Sequence, residues 1–192
     1  MPERNNLYPI FLKLSHLDFL IVGGGNVAEE KLSFLLKSSP NATVEIVAKA
    51  FKPELKHIAG KSQVTFIQDA YAEKYLENKH LVIAATDSLQ VNAQIYKDAR
   101  KRKILVNVAD TPELCDFYLG GIVTRGTVKV AISTNGRSPT TAKRLRQFFE
   151  EVIPEDIDQL VNNLNLYRKT IKGSFADKVN KLNKITEQLL NN

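Results

Sequence analysis

Three consecutive glycines at positions 23–25 are the part of the sequence that most directly indicates chemistry. Gly23-Gly24-Gly25-Asn26-Val27-Ala28 fits the pattern G-x-G-x-x-A, directly after the run Leu17–Val22, which is apolar apart from Asp18, and at the start of a helical pattern. In this setting the first glycine permits a tight turn, the second lets the backbone approach a pyrophosphate, and the alanine allows close helix–strand packing. Backbone N–H groups at the helix start then face the phosphates. The motif predicts a dinucleotide site, with a purely structural turn as the alternative.

The end of the second predicted strand bears on the choice between NAD and NADP. A typical NAD site has Asp or Glu at this point, whereas this chain has Val47-Ala48-Lys49. Glu45 lies 20 residues past Gly25, but inside the strand. Lys49 could bond a ribose hydroxyl, attract a 2′-phosphate or be a solvated loop lysine, so the sequence leaves both cofactors open.

Two further strand ends carry side chains that could take part in a reaction. Thr86 and Asp87 follow the fourth predicted strand, and Asp110 follows the fifth. Because ligands of doubly wound sheets bind beyond the carboxyl ends of the strands, both strand ends should border the cofactor. Asp110 could then accept a proton beside a nicotinamide. The alternatives are a helix N-cap at Thr86 or Asp87 and an ordinary turn residue at Asp110.

The positive charge of the chain is concentrated in one segment. The net charge is +6, and residues 117–149 contain six basic side chains and no acidic one. Such a local field recruits an anion, which could be nucleic acid, a phosphate group or a polycarboxylate. A solvated face is the alternative. The six residues are Arg125, Lys129, Arg137, Lys143, Arg144 and Arg146.

The elements that must position these residues alternate between strand and helix. Helical patterns at 26–38 and 89–103 separate short apolar runs, and this alternation predicts an α/β fold with a Rossmann-like parallel sheet covered on both faces. The strands are predicted at 17–22, 43–48, 63–67, 81–85 and 104–108.

The pattern changes after Pro112. Gly121–Thr124 and Thr127–Ser133 predict a β-hairpin, and Ser138-Pro139 predicts the start of a helix that ends before Pro154. Two more helices are predicted over 155–171 and 174–191. The predicted parts are a dinucleotide-binding domain over 1–113, a hairpin-plus-helix unit over 114–153 and a helical tail over 154–192.

Composition and residue usage exclude several other classes of protein. With 43% hydrophobic and 25% charged residues, the chain has an ordinary globular composition. The single cysteine, Cys115, excludes an internal disulfide and a multi-cysteine metal centre, and the three histidines lack metal-ligand spacing, so no metal site is predicted. No apolar run approaches the ~20 residues of a membrane span. The start of the chain lacks a secretory pattern, which favours a cytoplasmic protein.

Five motifs taken together resemble a known family. The chain is similar to the precorrin-2 dehydrogenase / sirohydrochlorin ferrochelatase module of sirohaem biosynthesis. The resemblance implies an NAD-dependent oxidation of precorrin-2 to sirohydrochlorin and, in some members, insertion of Fe²⁺. The motifs stand in the family's order and spacing: Tyr8-Pro-Ile-Phe-Leu, Leu20-Ile-Val-Gly-Gly-Gly-Asn-Val-Ala-Glu-Glu-Lys31, Ala84-Ala-Thr-Asp87, Asn107-Val-Ala-Asp110 and Ala131-Ile-Ser-Thr-Asn-Gly-Arg-Ser-Pro139.

The resemblance also implies roles for individual residues. It makes Asp110 the acid–base group, and it implies a homodimer, formed through the 114–153 unit, in which the partner chain completes each site. Thr134 and Arg137 depart from the residues that many members have in the loop that should face the substrate. The implied cofactor residues are Gly23, Gly25, Asn26, Val27, Lys49, Ala50, Thr86 and Asp87. The implied substrate residues are Asn107, Thr134, Asn135, Gly136, Arg137 and Ser138.

Two functions compete at this point. In the first, the chain is a cytoplasmic dehydrogenase whose basic segment binds the carboxylates of a tetrapyrrole, a task for which arginine is suited. In the second, it is a non-enzymatic nucleotide-sensing module whose basic helix, with Lys143, Arg144 and Arg146, contacts nucleic acid. Because residues 139–152 lack a helix-turn-helix partner, we favour the enzyme, with no nucleic-acid or membrane partner.

Overall fold

The chain divides into two units in the computed structural model, which describes residues 4–187. The first unit runs to Leu119 and includes Ser133–Arg137, and the second consists of Gly120–Ile132 and the chain from Ser138 onwards. The three-part division predicted from the sequence, with boundaries at 113 and 153, stays a prediction beside these two units. None of the helices within residues 4–187 combines the length and the apolar character needed to cross a membrane.

A five-stranded parallel sheet forms the first unit. Its strand order is β3-β2-β1-β4-β5, so the chain adds strands on one side of β1 and then crosses to the other side. Doubly wound sheets bind ligands where the order reverses, here between β1 and β4. The α/β fold class predicted from the sequence is confirmed. The strands are β1 (Asp18–Val22), β2 (Thr43–Ala48), β3 (Val64–Gln68), β4 (Leu81–Ala84) and β5 (Leu105–Val108).

Helices cover both faces of this sheet. Because successive strand residues point to opposite faces, Phe19 and Ile21 of β1 pack on the side of α1 and α2, whereas Leu20 and Val22 pack on the side of α3. Burial on both faces explains why the central strands have continuous apolar sequences. The three helices are α1 (Asn26–Ser38), α2 (Pro53–Ala59) and α3 (Leu89–Lys101).

The outer edge of β5 is closed by the segment that follows the strand. The N–H of Asp116 donates to the carbonyl of Val106 (2.7 Å), and the N–H of Val106 donates to the Asp116 carboxylate (3.1 Å). The Cys115 sulfur lies 3.3 Å from both the nitrogen and the oxygen of Val108. Burial raises the pKa of this thiol. Reactive cysteines have a lowered pKa, so Cys115 serves the packing of this edge.

The second unit is a hairpin followed by three helices. The Ser138 hydroxyl accepts the N–H of Thr141 (3.2 Å), which confirms the predicted N-cap. Ser174 and Asp177 form a capping box at the start of the last helix, whose predicted residues 187–191 lie beyond its end or outside the described residues. The elements are β6 (Gly121–Arg125), β7 (Val128–Ile132), α4 (Pro139–Val152), α5 (Ile157–Thr170) and α6 (Phe175–Thr186).

Asp158, near the start of α5, fastens the turn of the hairpin. Its carboxylate accepts the N–H and the hydroxyl of Thr127 (2.7 and 2.6 Å), and these bonds lower the pKa of Asp158. Gly126 has φ +53°, and a Cβ at this position would lie 2.5 Å from the Asp158 side chain. The turn therefore requires glycine both for its conformation and for the approach of Asp158.

Asp98 is a buried carboxylate on the inner face of α3, with 3% of the residue exposed. It accepts hydrogen bonds from Gln94 (2.9 Å), Tyr71 (3.2 Å) and Lys101 (3.4 Å). Burial alone would raise the pKa of this carboxyl, but the three donors together lower it. Asp98 is therefore a stabilising anion of the first unit.

We expect Asp98→Asn to lower the free energy of unfolding by about 1–3 kcal/mol, because a neutral amide cannot satisfy the same donors. A carboxyl whose pKa is lowered by folding stabilises the protein while it is ionised. The difference from wild type should therefore be full at neutral pH and disappear as the pH falls below about 3.9. Urea denaturation at several pH values measures this, with the exposed Glu77→Gln as control; equal stability at neutral pH would contradict it.

Candidate functional site

The turn between β1 and α1 uses its three glycines for different purposes. Gly23 has φ +133°, and a Cβ there would lie 2.2 Å from the carbonyl oxygen of Ala85. A Cβ on Gly24 would lie 1.9 Å from the carbonyl oxygen of Ala50, whereas a Cβ on Gly25 would meet nothing within 4 Å. The protein itself thus requires the first two glycines, and the third faces open space.

The first turn of α1 carries hydrogen-bond donors beside this open space. In the part of the chain that the structure describes, the backbone N–H groups of Asn26, Val27 and Ala28 have no acceptor. Unpaired N–H groups and the positive end of the helix dipole favour an anion. An open cradle at Gly25 in front of these donors fits the pyrophosphate of a dinucleotide cofactor.

Lys52, at the start of α2, lies against this turn. Its N–H donates to the carbonyl of Gly24 (2.9 Å), and its Nζ lies 2.7 Å from the Asn26 side-chain oxygen and 2.5 Å from the Glu29 carboxylate. The hydrogen bond to Glu29 is the main reason why the pKa of Lys52 is raised. The sequence analysis assigns no role to either residue of this ion pair, because no local pattern links residues that are 23 positions apart.

The end of β2 carries a lysine where many NAD sites have an acid. Lys49 and Ala50 are exposed after the strand. Glu45, the nearest acid within β2, forms an ion pair with Lys79 at 2.8 Å. Asp69 directly follows the neighbouring β3, and its carboxylate accepts the hydroxyl of Tyr75, which lowers the pKa of Asp69. The carboxylates near the end of β2 are thus engaged with other side chains.

The loop after β4 is held by a buried amide. Asn92 of α3 is 4% exposed; its side-chain oxygen accepts the N–H and the hydroxyl of Thr86 (3.2 and 2.6 Å), and its amide donates to the Thr86 carbonyl (3.1 Å). Ser88 caps α3 by accepting the N–H of Val91, so an N-cap at Thr86 or Asp87 is wrong. The Thr86 hydroxyl serves the loop itself, and Asp87 is exposed beside it. Asn92 is a positioning residue that the sequence analysis missed.

Asp110 adopts an uncommon backbone conformation at the end of β5. Its φ is +58°, a left-handed value that aspartate tolerates better than most residues. The N–H of Ala109 donates to the Ala84 carbonyl (2.9 Å), and the N–H of Thr111 donates to the Val108 carbonyl (3.2 Å), so bonds on both sides hold the turn. The side chain is exposed. Residues in such conformations cluster at functional sites.

These features share the carboxyl edge of the sheet. The N–H of Gly23 donates to the Val47 carbonyl (2.9 Å), and that of Ala85 donates to the Val22 carbonyl (2.8 Å). Neighbouring strands lie about 4.8 Å apart, which places Asp110 two strands, about 10 Å, from the glycine turn. A dinucleotide bound at that turn would extend along the edge, with Lys49 on the β2 side and Asp110 on the β5 side.

The predicted substrate residues lie in two different settings. Asn107 is 7% exposed, and its amide donates to the Phe117 carbonyl (2.8 Å), so it holds the segment after β5. Residues 134–137 form a tight turn: the N–H of Arg137 donates to the Thr134 carbonyl (3.1 Å), and Asn135 and Gly136 have φ of +55° and +73°. Positive φ at both central residues is typical of a type I′ turn.

The basic segment is partly neutralised by acids that follow it. Arg146 pairs with the Glu150 carboxylate at 2.5 Å, and Arg125 lies 4.0 Å from the Glu155 carboxylate. The acid-free stretch therefore overstates the charge that this unit offers to a ligand.

Among the described residues, no group of three or more His, Cys, Asp and Glu side chains could hold a metal ion.

Comparisons with known proteins match both units. Residues 10–121 match the family model described as "Putative NAD(P)-binding", which covers more than half of the chain. The chain belongs to this NAD(P)-binding family. Residues 125–151 match the model described as "Sirohaem biosynthesis protein central". The family resemblance carried by the five motifs is confirmed.

Several relatives of this family member are siroheme synthases. The chain is 40% identical to the siroheme synthase of Pseudoalteromonas translucida over 167 residues, which are 87% of this chain and 35% of the relative. It is 37% identical to a siroheme synthase of Yersinia pestis over 169 residues, 88% of this chain and 35% of the relative. The chain thus spans about a third of the length of these relatives.

A solved structure shares the fold. SirC, precorrin-2 dehydrogenase, superposes with a TM-score of 0.74 at 24% identity, over 93% of this chain and 89% of that chain. The similarity extends through both units and confirms the order of a parallel sheet, a hairpin and a helical C-terminal region.

Proposed function

We propose that this chain is an NAD-dependent dehydrogenase that oxidises precorrin-2 to sirohydrochlorin in sirohaem biosynthesis. The observation that carries the proposal is the arrangement at the carboxyl edge of the sheet. An open glycine cradle with unpaired N–H groups lies two strands from an exposed aspartate in a left-handed turn. The family match, the siroheme synthase relatives and the fold shared with a precorrin-2 dehydrogenase support this reaction.

The residues of the chain divide the reaction between them. Gly25 and the N–H groups of Asn26 and Val27 bind the pyrophosphate, while Lys49 and Ala50 border the ribose on the β2 side. The loop of Thr86 and Asp87 borders the nicotinamide half. The cofactor, when bound, accepts the hydride that leaves a C–H bond of the macrocycle. Asp110 accepts the accompanying proton, so that two electrons and two protons leave the substrate.

The direct test is an anaerobic incubation of the purified chain with precorrin-2 and NAD⁺. NADH and sirohydrochlorin should appear together in equal amounts, followed by their absorption spectra. Parallel reactions with NADP⁺ decide between the two cofactors, because the lysine at the end of β2 does not exclude a 2′-phosphate. If neither reduced cofactor nor sirohydrochlorin forms, the dehydrogenase assignment is wrong.

Arg137 is the residue we propose for binding a substrate carboxylate. It is exposed in the turn at 134–137 and directly precedes the Ser138 cap, where the α4 N-terminus favours anions. We expect Arg137→Ala to raise the KM for precorrin-2 by about three- to tenfold, the loss of an exposed charge-assisted contact. The Kd for NAD⁺ should not change. Lys143→Ala is the matched control, and its KM should equal that of wild type. An unchanged KM in Arg137→Ala would show that Arg137 does not contact the substrate.

A homodimer is proposed with the enzyme. Helix α4 exposes apolar side chains that nothing within the described chain covers: Leu145 is 39%, Phe148 54% and Val152 51% exposed. A second copy of the chain would cover such a stripe. Sedimentation velocity of the wild-type protein should give the mass of a dimer. The Phe148→Glu variant should sediment with the mass of a monomer.

Iron insertion and nucleic-acid binding are separated by two further assays. The family resemblance supports Fe²⁺ as a possible second substrate, and Asp110 could take the pyrrole protons that iron displaces. Sirohydrochlorin mixed with Fe²⁺ should then give sirohaem faster with the chain than without it. Binding of DNA that falls steeply with added salt would instead favour the nucleotide-sensing alternative.

A cytoplasmic location is part of the proposal, since the unpaired Cys115 suits a reducing compartment.

A further inference from the structure

Glu29 is an acid in an unfavourable place for the proposed cofactor. It is the fourth residue of α1, about 4.5 Å along the helix axis from Asn26, at the end of the helix where the unpaired N–H groups lie. Side chains on a helix lean toward its N-terminus. An uncompensated carboxylate there would repel the two negative charges of a pyrophosphate.

Lys52 places a positive charge directly on this carboxylate. Its Nζ lies 2.5 Å from Glu29 and 2.7 Å from the side-chain oxygen of Asn26, the first residue of the helix. The lysine side chain is 35% exposed and that of Glu29 is 28% exposed, so solvent screens the pair only partly. Glu54, at 4.0 Å from the same Nζ, is a second and weaker partner.

We propose that Lys52 is a positioning residue for the cofactor: by neutralising Glu29, it keeps the N-terminus of α1 attractive to a pyrophosphate. This inference rests on the proposed dinucleotide site but not on the identity of the oxidised substrate. It adds Lys52, the residue directly before α2, to the pyrophosphate part of the site, which otherwise consists of the turn between β1 and α1. The ion pair is then part of cofactor affinity, rather than only a link between two helices.

Two roles of Lys52 can be separated by their chemistry. The N–H of Lys52 donates to the Gly24 carbonyl at 2.9 Å, and any residue except proline retains this bond. Only the Nζ carries the charge. A Lys52→Met substitution therefore removes the charge, keeps a long apolar stem and leaves the backbone bond of the glycine turn intact.

The test is a titration of NAD⁺ into the full chain by calorimetry, at low and at high salt. At low salt Lys52→Met should bind NAD⁺ about tenfold more weakly, because one negative charge is left unpaired near the phosphates. Adding the second substitution Glu29→Gln should restore the affinity to within about twofold of wild type. The gap between Lys52→Met and wild type should also narrow at about 1 M salt, where exposed charges are screened.

The same titration is repeated with control variants. Lys56→Met removes a lysine from the exposed side of α2, and Glu30→Gln removes the neighbouring acid of α1; neither should change the affinity more than about twofold. Lys52→Arg, which retains the charge, should bind as wild type does. If the Lys52→Met/Glu29→Gln double variant binds as weakly as Lys52→Met, the role is structural and the proposal is overturned.

The outcome for the cofactor site is distinguishable from the outcome for the reaction. Wild-type chain that binds NAD⁺ but does not oxidise precorrin-2 contradicts the proposed function and leaves the Lys52 test intact. Wild-type chain that binds neither NAD⁺ nor NADP⁺ overturns both. Thermal unfolding of each variant, with midpoints near that of wild type, shows that a lost affinity is not a lost fold.

Discussion

Asp110→Asn should reduce the turnover of precorrin-2 oxidation by about 10²–10⁴-fold and leave the Kd for NAD⁺ unchanged. This is the contribution that a positioned acid–base group commonly makes. Asparagine has the shape of aspartate and also tolerates the left-handed backbone, φ +58°, that this turn imposes. The substitution therefore removes the proton acceptor without disturbing the loop. Alanine would combine both effects, since it lacks the base and fits this conformation less well.

The assay compares kcat with precorrin-2 against binding of NAD⁺ in the absence of substrate. Glu113→Gln is the matched control, because Glu113 is an exposed carboxylate in the same loop, three residues further on. A Glu113→Gln enzyme should keep wild-type turnover. If Asp110→Asn turns over precorrin-2 at the wild-type rate, water or another group takes the proton and Asp110 has no part in the chemistry.

Gly25→Val should abolish measurable NAD⁺ binding, a loss of about 100-fold or more, in a protein that folds normally. The backbone at Gly25 has φ −95° and ψ −162°, an extended conformation that valine adopts readily. A Cβ at this position meets no protein atom within 4 Å. The substitution therefore adds atoms only where the pyrophosphate would lie.

The neighbouring glycines provide the contrast for this prediction. Gly23→Ala and Gly24→Ala would place a Cβ about 2 Å from a backbone oxygen, so both should lower the thermal midpoint and the yield of folded protein. Gly25→Ala should keep the midpoint and weaken NAD⁺ binding less than Gly25→Val does. Wild-type affinity in a well-folded Gly25→Val would show that the cofactor does not lie on this turn.

The sheet could be predicted from the sequence because its signals are local. Each central strand is buried on both faces, so apolar runs such as Leu20–Val22 identify it directly. The glycine turn is also local, since its residues are consecutive. Helix α2 has only seven residues and buries only Leu55 and Ala59, which is too short a pattern to predict a helix.

The contacts that complete the site could not be predicted because they join distant residues. Lys52 reaches Asn26 across 26 positions, and no local pattern pairs them. Residues 117–149 contain no acidic side chain, but Glu150, which pairs with Arg146, lies one residue beyond that segment. The role of Asn92 could have been predicted from the sequence. Asn92 shares the inner face of α3 with Ile95 and Ala99, and a buried polar side chain on such a face needs a hydrogen-bond partner.

The closure of β5 by Asp116 and Cys115 restricts how copies of this chain can associate. An open edge strand invites a strand from another molecule, which is a common route to aggregation. On β5 the outward-facing groups of Val106 and Val108 are already bonded within the chain. A strand from another molecule therefore cannot pair with β5. It could extend this sheet only at the opposite edge strand, β3.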